Sequence, residues 1–357
     1  MRLAIHRRKG SFSDRWISYC EKHGISYDPV NCLETDILQQ LSRSDGLLWH
    51  WSHYDPREQL AARHVIKAAE ELGLVVFPST STCWDFDDKV AQKYSLEAAH
   101  APLVPSYVFY DLSEALSWID QTSFPKVFKL RKGAGSSNVR LVRSRTLARR
   151  LAQQAFSRGF KVVPSYWQDS GKRYRVARRK GDLFGILKRL LTTLLTLRNM
   201  NRAMGRERGY IYFQDFVPEN RFDIRVTIIG NRAFAFTRRV RPGDFRASGS
   251  GNIDYDVKKV PLSCLQIAFE VAEKFASQSM AFDFVLTPNN TPMIIEVSYC
   301  YDPSAVYQCD GHWDRHLSWQ RGHVWPEEGI LADVLREISR RRAARQTAIR
   351  PSLTANP

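Results

Sequence analysis

Two lysines, a loop of small residues and a group of arginines and acids follow one another between residues 87 and 298. These residue types could together bind a nucleoside triphosphate. Lys89 precedes a helical segment, and Lys129 lies on a predicted strand at 125–130. A lysine ammonium binds phosphate as a point charge, and the glycine- and serine-rich loop at 133–138 lets backbone amides approach phosphate oxygens. The sequence contains neither GxxxxGKS/T nor GxGxxG, so such a site would differ from both of those classes.

The acids and some of the arginines lie on segments with the character of strands. Asp283 and Glu296 fall on predicted strands at 280–286 and 292–297, which a turn-rich loop joins. Carboxylate oxygens bind Mg²⁺ together with phosphate oxygens, and arginines stabilise the charge that develops on a transferred phosphoryl group. Taken singly, each residue has an ordinary interpretation as a solvent-facing or edge-strand side chain. What makes the set specific is its order along the chain.

In this order the residues resemble the ATP-grasp superfamily, most closely the branch that contains glutathione synthetase and the ribosomal-protein glutamate ligase. The resemblance covers roughly residues 87–298, and the segment before it is similar only in its alternation of strands and helices. It implies that Lys89 and Lys129 contact the phosphates of ATP and that the segment 212–217 sandwiches adenine. The segment 222–226 is similar to the family's DIR segment, which implies Asp223 on the ribose hydroxyls and Arg225 on the terminal phosphate.

The resemblance implies three groups of site residues. The nucleotide-binding group is Lys89, Lys129, Gly133, Gly135, Ser136, Ser137, Gln214, Asp215, Phe216, Val217 and Asp223. The catalytic arginines are Arg225, Arg239 and Arg246, and the Mg²⁺ ligands are Asp283, Glu296 and Ser298. Arg238 and Arg241 crowd the same stretch as Arg239, so the choice among them is open. Ser298 stands where the family has asparagine, so a hydroxyl or a water would have to substitute.

The reaction that the resemblance implies is ATP-dependent ligation of a carboxylate to an amine. ATP phosphorylates the carboxylate, and the amine attacks the acyl phosphate to give an amide, ADP and phosphate. Orientation, together with charge neutralisation by arginine and Mg²⁺, would supply the catalysis. Two alternatives stay open: a kinase or phosphotransferase of the same fold, and a nucleotide-binding regulatory protein with reduced catalysis.

The elements that must position these residues follow an α/β pattern with α+β lobes. Short apolar runs at 3–5, 46–51 and 74–77 alternate with helical segments, which predicts a small parallel sheet with helices on its faces. The predicted parts are an N-terminal pre-ATP-grasp domain (1–86), an ATP-grasp domain (87–339) and a basic, disordered tail (340–357). Within the second part we predict a lid subdomain at about 120–213 and a C-terminal subdomain that binds nucleotide and Mg²⁺.

The chain of 357 residues has a formal net charge of +16, which first suggests a nucleic-acid partner. Its 43% hydrophobic and 25% charged residues are ordinary for a globular protein and exclude a largely disordered or fibrous one. The excess charge is local: residues 161–208 hold thirteen Lys or Arg against three acids, and residues 340–357 hold five Arg and no acid. Nucleic acid is therefore not an expected partner, because the rest of the chain is close to neutral.

The basic stretch belongs to an insertion at about 161–209. Leucines between Leu183 and Leu195 cover one helical face, and basic residues flank them on both sides. This pattern is typical of a helix at an anionic membrane surface; the default alternative is a helix packed on its own protein or on the second subunit of a homodimer. The membrane alternative predicts peripheral contact through 172–209 and a lipid-linked glycan or another cell-envelope precursor, as in surface-polysaccharide biosynthesis, as substrate.

The six cysteines form no CxxC pair and have no zinc-type spacing, and we find no signal peptide and no apolar run of about 18 residues. These features predict a cytoplasmic protein with reduced thiols. The acceptor substrate is expected where the N-terminal domain faces the Mg²⁺ strands, beside the aromatic segments 49–54 and 299–302. The alternative is that these rings pack under loops.

Overall fold

The structure is a computed structural model, and it describes residues 1–133, 138–162, 205–241, 243–247 and 250–349. The described residues form three larger β-sheets, with helices packed on them, and one two-stranded sheet. Most of the basic insertion, residues 163–204, lies outside the described residues, so the predictions for it stay predictions.

The first sheet is parallel and has the strand order β2-β1-β3-β4. Its elements are β1 (Arg2–His6), α1 (Phe12–His23), β2 (Ser26–Val30), α2 (Ile37–Leu41), β3 (Gly46–Leu48), α3 (Pro56–Glu71) and β4 (Val75–Phe77). The hydroxyl of Ser11 caps α1 by accepting a hydrogen bond from the Ser13 amide, and Gly24 ends the helix with φ 63°. Leu3, Ile5 and Leu47 are fully buried, as expected for parallel strands covered on both faces. The predicted small parallel sheet is confirmed.

The second sheet is antiparallel, with the order β5-β10-β6-β7. Two helices, α4 (Thr80–Cys83) and α5 (Lys89–Ala98), lead to it from β4. Its elements are β5 (Ser106–Phe109), α6 (Leu112–Gln121), β6 (Lys126–Lys129), β7 (Val139–Val142), α7 (Arg145–Ala155) and β10 (Ile211–Asp215), and β8 (Phe160–Lys161) pairs with β9 (Arg206–Glu207) beside it. Ile119 of α6 and Leu151 of α7 are buried with Phe213 of β10 in one apolar core. Within this sheet, β6 and β7 pair as an antiparallel hairpin.

The third sheet has the order β15-β14-β11-β12-β16-β17, with β13 paired to β12. Its strands are β11 (Phe222–Ile229), β12 (Arg232–Arg239), β13 (Ile253–Asp254), β14 (Ser279–Leu286), β15 (Pro292–Ser298), β16 (Gly311–Trp313) and β17 (Trp319–Arg321). A 3₁₀ turn (Val257–Lys259), α8 (Leu262–Lys274) and α9 (Pro303–Tyr307) connect them. Leu265 of α8 lies in one core with Val226 and Phe282 of the sheet. Because successive side chains of a strand point to opposite faces, the polar residues between these apolar ones share the other face.

The last helix, α10 (Pro326–Ile349), returns to the first sheet and contacts α1 and β4. Leu331 and Val334 are buried in the same core as β1 and β3, and Arg342 forms an ion pair with Asp45 at 2.7 Å. The prediction of a disordered tail from residue 340 is therefore wrong as far as residue 349, because this segment continues a helix whose apolar side completes the N-terminal core. Residues 350–357 lie outside the described residues.

Candidate functional site

The candidate site lies on the polar face of the third sheet, where three strand pairings bring five charged residues together. Asp223 of β11 is opposite Arg238 of β12, and Arg225 of β11 is opposite Asp283 of β14. Asp283 is in turn opposite Glu296 of β15. The register alone thus gathers residues that are up to 73 positions apart in the chain onto one face.

Asp283 is the centre of this cluster. Its carboxylate accepts hydrogen bonds from Nε and Nη2 of Arg225 at 2.7 and 2.8 Å, and Nη2 of Arg238 lies 2.9 Å from its Oδ2. The side chain is 4% exposed. Burial by itself would raise the pKa of Asp283, but the charges of Arg225 and Arg238 outweigh burial and hold that pKa well below its ordinary value. The carboxylate is therefore ionised at any physiological pH.

Arg238 joins the two acids of the face. Besides its contact with Asp283, its Nε and Nη2 donate to the two carboxylate oxygens of Asp223 at 2.7 and 2.6 Å. Burial raises the pKa of Asp223 in spite of Arg238, since the carboxylate is almost fully removed from water. Asp223 still lines the cleft described below, where a ribose contact was expected.

The expected role of Arg239 is not supported by its position. The side chain is 61% exposed and lies 3.8 Å from Asp254, on the other side of β12 from Arg238. Of the neighbours Arg238 and Arg239, Arg238 is thus the one that reaches the cluster. Arg246, by contrast, lines the cleft as expected and forms an ion pair with Asp244 at 2.8 Å.

Lys89 approaches the cluster from the start of α5, and Lys129 approaches it from the end of β6. Lys89 is the first residue of α5, which Asp88 caps by accepting from the Val90 and Ala91 amides. Its ammonium donates to the Gly133 carbonyl at 2.7 Å and pairs with Glu296 at 3.2 Å. Burial would lower the pKa of Lys89, but Glu296 and Asp87 leave it raised, so the charge persists.

Lys129 ends β6 and donates from Nζ to the Ile295 carbonyl at 3.1 Å. Burial lowers its pKa to about 8, which the charge of Glu296 offsets only in part. At neutral pH both lysines are therefore cationic, side by side with Glu296. The loop after Lys129 begins at Gly133, whose amide donates to Asp87 at 2.9 Å. Gly135, Ser136 and Ser137 lie outside the described residues.

A cleft between the second and third sheets connects these groups. The expected adenine segment forms one wall: the Gln214 amide donates to Ser106 at 3.0 Å, Asp215 pairs with Lys126 at 2.5 Å, and Phe216 lies edge-on to Phe245. The residues that line the cleft are Val127, Lys129, Val139, Gln214, Asp215, Phe216, Val217, Glu219, Asn220, Phe222, Asp223, Val240, Phe245, Arg246, Ala247, Asp283, Val285, Ile295 and Glu296. The cleft thus combines apolar and charged side chains, as a nucleotide site requires.

Asp283 and Glu296 could hold Mg²⁺ only together with oxygen atoms of a bound phosphate. Asp283 and Glu296 are neighbours across β14 and β15 and supply two carboxylates. Ser298 shares the face of Glu296, but its hydroxyl donates to the Cys300 carbonyl at 2.9 Å and accepts from the Cys300 amide at 3.1 Å. Among the described residues there is no group of three His, Cys, Asp or Glu side chains placed to bind a metal. Two carboxylates with phosphate oxygens as co-ligands do fit Mg²⁺, which prefers hard oxygen donors.

The aromatic segments expected at the acceptor site are mostly core. Trp49, Trp51 and Tyr299 are at most 1% exposed, and Tyr301 is 7% exposed. They pack with Phe86 and Phe77 between the first sheet and the end of β15. The alternative that these rings pack under loops is therefore correct for them.

Sequence reasoning missed a polar group beneath these rings. Glu58 of α3, 3% exposed, accepts from the Ser52 amide at 2.6 Å and lies 3.8 Å from Arg8. Arg8 also donates to the His50 carbonyl at 2.7 Å. The sequence could have predicted the contact between Arg8 and His50, because these residues follow β1 and β3. The carboxyl ends of parallel strands meet at one edge of a sheet.

Comparisons with known proteins agree with this architecture. No protein-family model matches the chain, and no curated protein matches its sequence. Solved structures do: an ATP-grasp RimK domain protein from Sphaerobacter thermophilus, 15% identical, covers 94% of this chain and 99% of its own with a TM-score of 0.55. The D-cycloserine synthetase DcsG is 13% identical, covering 94% of this chain and 100% of its own, with a TM-score of 0.55. D-alanine–D-alanine ligase from Bacillus anthracis, complexed with ATP, is 12% identical, covering 96% of this chain and 99% of its own, with a TM-score of 0.54.

Proposed function

We propose that this chain, which has the ATP-grasp fold, is an ATP-dependent ligase that joins a carboxylate to an amine through an acyl phosphate. The observation that carries the proposal is that Lys129, Asp283 and Glu296 line one cleft. Lys89 pairs with Glu296, and Arg225 pairs with Asp283, so both of these cations contact the acids of the cleft. These are the charges that a transferred phosphoryl group and its metal need, and the fold brings them together from different elements.

The apolar side chains of the cleft would take the adenine ring beside Phe216, with Gln214 and Asp215 offering polar contacts at its edge. Asp223 would face the ribose, and Lys89 and Lys129 would face the phosphates. Because both ammonium groups are buried, their attraction to phosphate is screened less than it would be in water. Burial thus makes each lysine a strong phosphate ligand.

The proposed reaction has two steps. The substrate carboxylate oxygen attacks the γ-phosphorus of ATP, and the bond to the β,γ-bridging oxygen breaks, which gives an acyl phosphate and ADP. The amine nitrogen then attacks the acyl carbon, the C–O bond to phosphate breaks, and the nitrogen loses a proton. The net change is ATP, carboxylate and amine to ADP, phosphate and amide.

This chain's own residues would orient the carboxylates of the site and neutralise the charge of the transferred phosphoryl group. Arg225 is partly exposed, at 18%, whereas Arg238 is buried at 8%. Arg238 therefore positions Asp223 and Asp283, while the partly exposed Arg225, paired with Asp283 of the cleft, would stabilise charge on the transferred group. Asp283 and Glu296 would hold Mg²⁺, which supplies Lewis-acid neutralisation of the phosphates when bound.

The test is a screen for ADP release over pairs of carboxylates, including uronic acids and amino acids, with amines. Glu296→Gln is the inactive control, and Glu71→Gln is its matched control, since Glu71 is 67% exposed on α3. The ligase proposal expects continuous ADP formation only when both substrates are present, because without an amine the reaction stops at the acyl phosphate. A stable phosphorylated acceptor would indicate a kinase instead, and ATP binding without any turnover would indicate a regulatory protein.

The identity of the substrate stays a prediction from the sequence. A cell-envelope glycan precursor and peripheral membrane contact were predicted from the insertion at 161–209, most of which lies outside the described residues. In the described part of the chain, no helix combines the length and apolar character needed to cross a bilayer. Liposome flotation of the wild type against a Leu187→Asp/Leu191→Asp variant tests the membrane prediction, and equal flotation of the two would contradict it.

A further inference from the structure

A second cavity, of about 510 Å³, lies between α3 and the segment that leads from β6 into the loop at 133. It shares no lining residue with the nucleotide cleft. The two spaces are nevertheless neighbours: Asp87 lines this cavity and accepts from the Gly133 amide, while Lys89 donates to the Gly133 carbonyl and contacts Glu296. The cavity therefore borders the end of the cleft that we assign to the phosphates.

Four basic side chains line this cavity, and two of them are already neutralised. Arg57 forms a 2.8 Å ion pair with Asp55. Arg131 lies 3.5 Å from Asp88 and 3.4 Å from Glu207. These two arginines contribute little net positive charge to the space, because each has a carboxylate partner.

The other two, Arg63 and Lys132, have no carboxylate within ion-pair distance among the described residues. Arg63 donates to the carbonyls of Trp84 and Phe86 at 3.1 and 2.8 Å, and its guanidinium lies 5.2 Å from the Trp51 ring. These contacts fix the direction of the Arg63 guanidinium. None of them is with a carboxylate, so its positive charge has no ion-pair partner among the described residues. Lys132 is partly buried and makes no side-chain hydrogen bond to any described residue. Asp85 and Asp87 are the acids that act on these charges, and neither is close enough to form an ion pair.

We propose that Arg63 and Lys132 form a subsite for a second anionic group of the substrate, a carboxylate or a phosphate, apart from the carboxylate that ATP activates. The substrate assignment rests on the ligase function proposed above, whereas the anion subsite itself does not. Two partly desolvated cations facing one cavity gain charge-assisted hydrogen bonds from an anion, and a pre-oriented guanidinium suits a two-oxygen ligand. Leu60, 73% exposed on the cavity wall, would contact an apolar spacer between the two anionic groups.

Lysine footprinting tests the subsite without knowledge of the substrate. The full-length protein is acylated with a lysine-reactive reagent in the absence of nucleotide, and the rate at Lys132 is read by peptide mass spectrometry. The probes are glutarate and inorganic phosphate. At about twice its dissociation constant, a probe leaves a third of the sites free and slows labelling about threefold. Lys67, 59% exposed on the same helix as Arg63 but outside the cavity, is the matched control and should label at an unchanged rate.

The Arg63→Gln variant should lose this protection, Arg63→Lys should keep most of it, and Arg57→Gln should leave it intact because Asp55 already neutralises Arg57. Protection by phosphate alone or by glutarate alone would assign the subsite to that anion. Unchanged labelling of Lys132 with both probes, or protection that survives in Arg63→Gln, would overturn the proposal. ATP is tested in a separate labelling experiment that reads Lys129, which lines the nucleotide cleft. If ATP does not slow labelling of Lys129, the result counts against the ligase function and not against this subsite.

Discussion

Arg225 and Asp283 lie opposite each other on neighbouring strands, and the guanidinium donates to both carboxylate oxygens at 2.7 and 2.8 Å. Arg238 reaches the same carboxylate from the next strand at 2.9 Å. The predicted metal ligand is thus held ionised and in a fixed direction before any ligand arrives. A pre-oriented carboxylate costs less to organise at the moment of reaction, which favours the catalytic interpretation of this face.

Arg238 should be far more important for stability than Arg239. Arg238→Gln leaves the buried Asp223 without its partner, and breaking a buried ion pair costs about 3–5 kcal/mol. Arg239→Gln is the matched control: its side chain is 61% exposed, so the change should stay within about 0.5 kcal/mol. Urea unfolding measures both. Equal destabilisation by the two substitutions would contradict the assignment of Arg238 to the cluster.

ATP binding should weaken as the pH rises through about 8. Burial lowers the pKa of Lys129 to about 8, with Lys89 lowering it further and Glu296 and Asp283 opposing, so the ammonium is charged below that pH and neutral above it. If only the charged form binds phosphate, affinity falls about tenfold from pH 7 to pH 9. Equilibrium ATP binding to the wild type and to Lys129→Arg checks this, because arginine stays charged over the range. The same loss of affinity in both proteins would show that another group titrates.

Glu296 and Ser298 should differ in their effect on the Mg²⁺ requirement. Loss of a ligating carboxylate in Glu296→Gln should raise the Mg²⁺ concentration for half-maximal nucleotide binding at least about tenfold. Ser298→Ala should change it less than about twofold, since the hydroxyl is engaged with the backbone of Cys300. Nucleotide binding titrated with Mg²⁺ gives both values. A large effect of Ser298→Ala would make the hydroxyl a metal ligand after all.

The C-terminal helix should be essential to the N-terminal core. Leu331 is fully buried against the first sheet, and Leu331→Ala should lower the free energy of unfolding by about 2–5 kcal/mol. Leu72→Ala is a suitable control, because Leu72 is 52% exposed and its truncation should stay within about 0.5 kcal/mol. Denaturant unfolding separates the two. A small effect at Leu331 would mean that α10 contributes little to the core.

Much of the site could be predicted from the sequence, because its residues sit on elements with strong local signals. Lys89 follows a capping aspartate, Lys129 ends an apolar strand, and Asp283 and Glu296 lie on two strands joined by a turn. The comparisons confirm the predicted α/β class and the ATP-grasp likeness of the fold. The roles of individual residues in the site stay predictions.

Local sequence patterns are enough to predict the helix and the strands that carry the lysines and acids of the cleft. That Arg238 and not Arg239 reaches Asp283 depends on the packing of the sheet, because a shift of one residue along a strand moves a side chain to the opposite face. The tertiary structure also decided that α10 packs on the first sheet and that Trp49 and Trp51 are core residues. These outcomes depend on contacts between residues far apart in the chain, and the local pattern of a segment does not record which distant surface will cover it.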